Sequence, residues 1–319
     1  MGHSINQEQQ MNRIALGADI GGSHITCQLF NLETSKPVVH TRHRIAVNSR
    51  ASKNEILDQW IAAIRLTTKN QNLPSLSGIG FAMPGPFDYQ NGIAWFEGVR
   101  KFEKLYGVNI REEIQNRMNL PADFPVRFLN DAACFAIGEA WLGEASNYHR
   151  IIALTMGTGF GTTFIKNKFP VAGKEGIPED GFLYHIPFKN SIADDYFSTR
   201  WFLKTYFEKT GKKIHGVKEL AEKAHNEAVD VELFREFGQN LGEFLVPWVK
   251  QFDANCLVLG GNISKSFPLF KTEMEAQLRN TNVNPTICPS EMEENAALFG
   301  SAKLCDNTFY SKLIKTKII

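Results

Sequence analysis

The chain has 319 residues, of which 43% are hydrophobic and 22% are charged, a composition typical of a globular protein with a sizeable core. Its length predicts about two domains. Lysine and arginine together number 35, against 34 aspartates and glutamates. The protein therefore has no strong overall charge that would attract nucleic acid or an anionic membrane, and we expect neither as a partner.

The five cysteines are scattered singly, with no Cys-x-x-Cys pair. Isolated cysteines in apolar stretches are typical of buried, reduced thiols in a reducing compartment. No apolar run reaches the ~18–20 residues that a membrane-spanning helix needs. The polar segment Met1–Asn12 also lacks the apolar core of a secretory signal. We therefore expect a cytoplasmic protein whose first 12 residues form a flexible tail.

The elements that follow the tail predict an α/β lobe. Arg13–Ile20 is apolar and runs into Gly21 and Gly22, and the alternating segment Ser23–Phe30 follows, which predicts a β-hairpin. A third strand is expected at Val38–Ile45. Ser52 and Glu55 have the spacing of a capping box ahead of a helical apolar pattern. The remaining predicted elements of this lobe are a strand at Gly78–Met83 stopped by Pro84-Gly85-Pro86, a helix at Ile110–Met118 and a strand at Val126–Leu129.

The pattern then begins again, which predicts a second lobe of related topology. Arg150–Thr155 is an apolar strand, Gly157–Gly161 is a glycine-rich turn and Thr162–Ile165 is a return strand. We expect an N-terminal lobe at 13–129 and a C-terminal lobe at 130–294, with 295–319 returning to complete the first. The later predicted elements are helices at Ala193–Thr210, Val217–Glu227, Val231–Phe252 (with a kink at Pro247) and Asn295–Leu304, and a strand at Cys256–Leu259.

Both predicted hairpin turns have the composition of a phosphate-binding loop. Glycine lets backbone amides approach an anion closely, and this applies to Gly21, Gly22 and Ser23 in the first turn. Asp19 beside that turn is a candidate for holding Mg²⁺, directly or through water. The alternative for a single such turn is an ordinary tight hairpin. Because Gly157, Thr158 and Gly159 occupy the equivalent place in the second lobe, the pair of turns favours a clamp on a polyphosphate.

Two further motifs follow strand ends. Asp131 comes directly after the strand Val126–Leu129, where a carboxylate is placed to accept a proton from an attacking hydroxyl. The alternative is that Asp131 is a helix N-cap. The strand Cys256–Leu259 ends in Gly260, Gly261 and Asn262, which leave room for a flat ring such as adenine. The alternative there is a simple strand-to-helix turn.

Taken in order, these motifs resemble the bacterial ROK family of repressors, open reading frames and sugar kinases. That family has a two-lobed, actin-like ATPase (ribonuclease H-like) α/β fold, with duplicated lobes around an interlobe cleft. The segments that carry the resemblance are LGADIGGSHI (Leu16–Ile25), GIGFAMPGPFD (Gly78–Asp88), LNDAACFAIGEAWLG (Leu129–Gly143), LTMGTGFGTTFI (Leu154–Ile165) and LVLGGNIS (Leu257–Ser264).

The resemblance implies an ATP-dependent kinase that phosphorylates a hydroxyl of a hexose or an N-acyl-hexosamine, with Asp131 as the general base. It implies ATP and Mg²⁺ in the cleft, with Asp19 near the metal ion, and a homodimer is compatible with it. A sugar or nucleotide sensor without catalytic activity is the alternative. The residues that the resemblance places around the sugar are Gly85, Asn130, Asp131, Glu179, His185 and Asp194.

The sugar side of the site departs from the family pattern. The family has a Glu-x-Gly-His motif followed by a cysteine-rich zinc loop, and this chain has no cysteine between Cys134 and Cys256, so we expect no structural zinc. Either Glu179 or His185 matches that motif, and His185 is then a sugar contact or a core histidine. Asp194 or Asp195 stands where the family has a glutamate. The segment Glu97–Phe102 replaces an asparagine-containing sugar motif, and Lys101 and Lys104 are either a phosphate-binding pair or solvated charges.

Overall fold

The structure, a computed structural model, describes residues 13–224, 228–316 and 318, so the predicted tail Met1–Asn12 lies outside the described residues. The strands are β1 Ile14–Ile20, β2 His24–Asn31, β3 Lys36–Pro37, β4 His43–Ala46, β5 Ile79–Met83, β6 Phe87–Asp88, β7 Ile93–Ala94, β8 Val126–Asn130, β9 Arg150–Met156, β10 Phe160–Lys166, β11 Phe169–Val171, β12 Pro187–Phe188, β13 Ser191–Ile192, β14 Cys256–Gly260 and β15 Thr286–Pro289. The α-helices are α1 Lys53–Thr68, α2 Ile110–Met118, α3 Asp131–Leu142, α4 Ala193–Tyr196, α5 Thr199–Thr210, α6 Val217–Lys223, α7 Ala228–Phe252, α8 Phe267–Asn280, α9 Glu294–Lys303 and α10 Asn307–Leu313, and short 3₁₀ turns lie at Leu73–Ser75, Glu103–Leu105 and Ile263–Ser266.

These elements form two compact units. Unit 1 contains the described residues up to Leu129 together with Ser301–Tyr310, and unit 2 contains those of Asn130–Gly300 and of 311–319. Each unit has its own sheet and its own apolar core.

The sheet of unit 1 has the strand order β3-β2-β1-β5-β8, and β4 also pairs with β2. β1 and β2 are antiparallel, and β1 is parallel to β5, so the predicted hairpin is confirmed. The single third strand predicted at Val38–Ile45 is wrong, because the chain forms β3 and β4 instead. Between them His40 has a left-handed φ of 59°, and the Thr41 hydroxyl donates to the Val38 carbonyl at 2.7 Å. This local turn interrupts the strand.

Helix α1 covers one face of this sheet. Its N-cap is Ser52, whose hydroxyl accepts the Glu55 amide at 3.3 Å, so the cap predicted from the sequence is confirmed. The apolar side of the helix is buried, with Trp60 fully enclosed. On β5, a Cβ added to Gly80 would lie 1.8 Å from the Ser301 carbonyl oxygen. The end of α9 therefore packs directly against this strand, and only glycine allows so close an approach.

The sheet of unit 2 repeats the arrangement, with the order β11-β10-β9-β14-β15. β9 and β10 are antiparallel and β9 is parallel to β14, as β1 is antiparallel to β2 and parallel to β5. The duplicated hairpin predicted from the sequence is therefore present in both units, and in each unit a parallel strand also pairs with its first strand. A dense aromatic cluster fills the core of unit 2, including Phe160, Phe197, Phe202, Phe237 and Phe244.

The helix predicted at Ala193–Thr210 is wrong in one respect, because it is divided into α4 and α5. Phe197 is fully buried at the division, and Ser198 is extended with φ −116° and ψ 168°. The burial of Phe197 in the aromatic core and a contact of Thr199 with the Gly157 carbonyl together account for the break. The helix predicted at Val217–Glu227 ends at Lys223, and 225–227 lie outside the described residues.

All five cysteines are buried, as their apolar sequence surroundings predict. Burial raises the pKa of the Cys27 thiol far above its ordinary value, with a further contribution from the charge of Asp19. In the part of the chain that the structure describes, no helix combines the length and apolar character needed to cross a membrane.

Candidate functional site

The first glycine turn closes the β1–β2 hairpin. The Gly21 amide donates to the His24 carbonyl at 2.9 Å, which makes the turn short and exposes Gly22 and Ser23. Asp19 lies near the end of β1, paired in register with Thr26 and Ala82. A Cβ added to Gly22 would have Lys101 Cδ as its nearest neighbour, at 3.7 Å. The Lys101 side chain therefore lies beside this turn. The sequence left two interpretations of this lysine open, a phosphate ligand or a solvated charge.

The second turn, Gly157–Gly159, closes the β9–β10 hairpin in the same way. The Gly157 amide donates to the Gly159 carbonyl at 3.0 Å. A Cβ added to Gly157 would meet no atom within 4 Å, and neither glycine has a positive φ. Neither crowding nor backbone conformation thus requires glycine at 157. The open space next to the Gly157 backbone leaves room for a bound ligand.

Helix α3 places Asp131 at its first residue. The N-cap is Asn130, whose side-chain oxygen accepts the amides of Ala132 and Ala133 at 3.0 and 3.3 Å. The alternative that Asp131 is the cap is therefore wrong. One Asp131 oxygen accepts the Ala132 amide at 2.9 Å, and the residue is partly exposed. Because Asn130 already caps the helix, the Asp131 carboxylate is not needed as the cap.

Three close approaches bring the motifs of unit 2 together around α3. A Cβ added to Gly161 would lie 2.7 Å from Ala132 Cβ, and one on Gly260 would lie 2.3 Å from the Phe135 ring. The first two turns of α3 thus contact both β10 and the end of β14. Gly261 has a left-handed φ of 83°, and a Cβ there would be 2.3 Å from the Met156 carbonyl. The Gly260-Gly261 turn therefore packs against the residue that precedes the second glycine turn.

Asp194 joins the second turn to the segment that contains His185. One Asp194 oxygen accepts the Phe160 amide at 2.7 Å and the other accepts from Arg200. The Asp194 amide donates to the Tyr184 carbonyl at 2.9 Å. Burial, aided by the charges of Asp180 and Asp194, raises the pKa of Tyr184. The carboxylate of Asp194 is thus held beside the second glycine turn.

The other residues predicted for the sugar are all exposed. Glu179 lies against Gly173, where a Cβ would be 2.6 Å from the Glu179 carboxylate. His185 Nδ1 is 3.6 Å from Asp180 Oδ2 and its side chain is 42% exposed, so the alternative that it is a core histidine is wrong. Gly85 lies in the exposed turn after β5, near the hydroxyl of Tyr89.

Two residues of this region carry no recognisable signal in the sequence. Thr199 and Arg200 begin α5 and donate hydrogen bonds to the carbonyls of Gly157 and Thr158. Neither belongs to a glycine motif, and their relation to the turn depends on the break between α4 and α5. Within residues 13–224, 228–316 and 318, no three histidine, cysteine or acidic side chains are grouped closely enough to hold a metal ion by themselves.

Helix α3 also carries a buried acid, Glu139. Burial raises the pKa of its carboxyl group, while a hydrogen bond from Ser290 acts in the opposite direction. The Ser290 hydroxyl donates to Glu139 Oε1 at 2.5 Å.

Comparisons with known proteins agree on one family. The sequence model described as "ROK family" matches residues 15–308. An N-acetyl-D-glucosamine kinase of Haemophilus influenzae is 26% identical, over 90% of this chain and 98% of that kinase. A xylose repressor of Bacillus spizizenii is 24% identical, over 91% of this chain and 76% of that protein. A ROK family glucokinase from Streptomyces griseus, solved with glucose and AMPPNP, superimposes with a TM-score of 0.72, at 20% identity and with 91% and 98% of the two chains covered.

Proposed function

We propose that this chain, which belongs to the ROK family and has the actin-like ATPase fold of that family, is a sugar kinase. In this proposal it transfers the γ-phosphoryl group of ATP to a hydroxyl of a hexose or an N-acyl-hexosamine. The single observation that supports this most strongly is the packing of three motifs of unit 2 around α3. Gly161, Gly260 and Gly261 make close approaches that bring the second glycine turn and the Gly260-Gly261 turn next to the helix that begins with Asp131.

Asp131 is the general base in this proposal. A sugar hydroxyl is a weak nucleophile near neutral pH, and its proton must leave as the bond to phosphorus forms. A carboxylate within hydrogen-bonding distance accepts that proton and orients the hydroxyl for attack. Because Asn130 supplies the helix cap, Asp131 acts only as the general base in this proposal. Asn130 contributes to the sugar site by holding the backbone next to Asp131.

The phosphates of ATP are bound, in this proposal, by the amides of the two glycine turns. Thr158 and Gly159 in the second turn, and Gly22 and Ser23 in the first, are exposed, and exposed amides in tight turns are suited to bind anions. Gly260, Gly261 and Asn262 border the adenosine. The open space above Gly157 supports this assignment, because it leaves room for a phosphate close to the backbone.

Mg²⁺ fits this arrangement through one carboxylate. Magnesium keeps several water ligands and is usually held by one or two carboxylates together with the phosphates of the substrate. Asp19 offers such a carboxylate beside the first turn, and the described residues contain no group of three histidine, cysteine or acidic side chains placed to hold a metal ion by themselves. When bound, the ion would neutralise charge on the phosphates. The missing cysteine loop supports a protein without structural zinc.

The sugar class follows from the relatives, and Glu179 and His185 are the sugar contacts in this proposal. The Haemophilus influenzae relative is an N-acetyl-D-glucosamine kinase, whereas the structural relative from Streptomyces griseus binds glucose, so both substrates belong in the first screen. The second candidate function is a sugar sensor without turnover. The similarity to the Bacillus spizizenii xylose repressor and the altered sugar segments favour it.

A coupled ADP-release assay over hexoses and N-acyl-hexosamines tests the proposal directly. We expect Mg²⁺-dependent turnover with at least one sugar of these classes. Calorimetric titration with ATP, with and without Mg²⁺, runs in parallel. Binding of both ligands without turnover would support the sensor, and failure to bind ATP under any condition would reject the kinase.

A further inference from the structure

The second glycine turn is held from one side by residues of α4 and α5. The Thr199 amide and hydroxyl both donate to the Gly157 carbonyl, at 2.8 and 2.9 Å. Arg200 Nη1 donates to the Thr158 carbonyl at 2.9 Å. Asp194 accepts the Phe160 amide at 2.7 Å. Consecutive peptide groups from 157 to 160 are thus each fixed by a partner at the start of these two helices.

This anchoring determines which way the turn presents its amides. In a trans peptide the carbonyl and the following amide point to opposite sides of the chain. Because the Gly157 and Thr158 carbonyls are bound by α5, the amides of Thr158 and Gly159 point away from that helix. Two neighbouring amides directed to the same open side form a concave site for an anion. The direction in which the Thr158 and Gly159 amides point therefore depends on the hydrogen bonds that the Gly157 and Thr158 carbonyls accept.

Arg200 links the two halves of this anchoring. Its Nη1 binds the Thr158 carbonyl, and its Nη2 pairs with the Asp194 carboxylate that accepts the Phe160 amide. A planar guanidinium reaches two acceptors in a fixed geometry, which the single ammonium of lysine does not reproduce. The Arg200 side chain is 52% exposed, so the pair adds little to global stability. Its effect is local, on the conformation of the turn.

We propose that Asp194 and Arg200 are positioning residues for the nucleotide phosphates: together with Thr199 they hold the Gly157–Gly159 turn so that the Thr158 and Gly159 amides face the bound phosphate. This rests on the proposed function, because it assumes that ATP is the ligand of the turn. It assigns Asp194 a different task from the sugar contact that the family resemblance implies. Asp194 acts on ATP affinity through Phe160 and Arg200, without touching the sugar.

The test compares ATP binding with sugar use in variants of the full-length chain. Calorimetric titration with Mg²⁺-ATP, in the absence of sugar, gives the nucleotide Kd of the wild type, Arg200→Ala, Arg200→Lys, Asp194→Ala and the double alanine variant. We expect the Kd to rise about tenfold for each alanine variant, as for the loss of a charge-assisted hydrogen bond. Arg200→Lys should fall between Arg200→Ala and the wild type, and the double variant should be no worse than the weaker single variant, because the two residues act as one unit.

Two further measurements separate this role from a general loss of structure. Hydrogen exchange in the nucleotide-free protein should become faster at the hydrogen-bonded Gly157 and Phe160 amides in Arg200→Ala and Asp194→Ala, and remain unchanged in the β14 strand. Lys209→Ala is the matched control, since Lys209 lies on the same helix and pairs with Glu236 at 3.0 Å. It removes a comparable ion pair away from the turn and should leave the Kd unchanged.

The outcomes distinguish this inference from the proposed function. A wild-type protein that binds no ATP would reject the proposed function and this inference with it. A wild type that binds ATP, with Arg200→Ala binding equally well, would overturn the positioning role alone. If Asp194→Ala raised the sugar KM and left the ATP Kd unchanged, Asp194 would be a sugar ligand, and the positioning role would again be wrong.

Discussion

Replacing Asp131 by asparagine separates a catalytic role of this residue from a structural one. Asparagine preserves the size of the side chain and an oxygen that accepts hydrogen bonds, but it cannot take up a proton under assay conditions. If Asp131 is the general base, kcat should fall by roughly 10²–10⁴, the usual effect of losing general-base catalysis. The Kd for Mg²⁺-ATP should remain within about twofold, because the proposed phosphate contacts are backbone amides of other residues.

The structure limits how much stability the same substitution removes. The helix cap belongs to Asn130, which accepts two backbone amides, and it remains in the variant. Asp131 contributes one hydrogen bond, to the Ala132 amide at 2.9 Å, which the asparagine oxygen also makes. The remaining loss is the interaction of a negative charge with the first turn of α3, worth about 0.3–1 kcal/mol. The free energy of unfolding should fall by no more than that.

A matched control measures this charge effect by itself. Glu112 lies in the first turn of α2, which is also capped by an asparagine, Asn109. Glu112→Gln removes a carboxylate from the first turn of another helix and should lower stability by a similar amount with no change in kcat. Coupled ADP-release kinetics on the best sugar, together with urea denaturation, give both quantities for each variant. Wild-type kcat in Asp131→Asn would refute the general-base role, and an increase in sugar KM with unchanged kcat would reduce Asp131 to a sugar contact.

Two other predictions concern the buried acid of α3 and the missing zinc loop. Burial raises the pKa of Glu139 above its ordinary 4.5, so the folded state holds this proton more tightly than the unfolded state. The free energy of unfolding therefore falls as pH rises from 4.5 through the raised pKa of the folded state. Glu139→Gln should therefore raise Tm relative to the wild type at about pH 8 and much less at about pH 4, and an equal change at both pH values in thermal melts would contradict this. Elemental analysis should find no stoichiometric zinc in the purified protein. His185→Ala should raise the sugar KM if His185 contacts the sugar, and an unchanged KM would remove that assignment.

The sequence predicted the strands and most helices well where one local pattern decides the outcome. The β1–β2 and β9–β10 hairpins, the Ser52 cap and α2 follow from alternation, capping spacing and helical periodicity. One error came from a local turn, at His40, which interrupts the strand predicted at Val38–Ile45. The other arose where tertiary contacts decide. The burial of Phe197 among other aromatic rings divides α4 from α5, and no local sequence pattern predicts which phenylalanine will be buried in the core.

The candidate site was predictable to the same extent. The glycine turns and Asp131 are recognisable because their chemistry requires particular residue types beside particular strands. The cap at Asn130 and the contacts of Arg200 were not predicted. Asn130 and Asp131 both have high preference for an N-cap, so composition alone does not choose between them. Arg200 reaches the turn because the fold brings the start of α5 beside it, although Arg200 and Thr158 are 42 positions apart in sequence.

Packing requires glycine at position 260 but not at position 157, and an alanine substitution at each position should show this difference. At Gly260 an added Cβ would lie 2.3 Å from the buried Phe135 ring, and displacing such a ring costs about 1–3 kcal/mol through overpacking. At Gly157 no atom lies within 4 Å and φ is not positive, so alanine should leave stability unchanged or raise it by about 0.4–1 kcal/mol through the unfolded state. If the open space above Gly157 is where a phosphate approaches, Gly157→Ala should nevertheless weaken Mg²⁺-ATP binding about tenfold, since a methyl group would occupy part of that space. Chemical denaturation and calorimetric titration on the two variants test this contrast. A Gly157→Ala protein that is stable and binds ATP like the wild type would show that no phosphate occupies the space above Gly157.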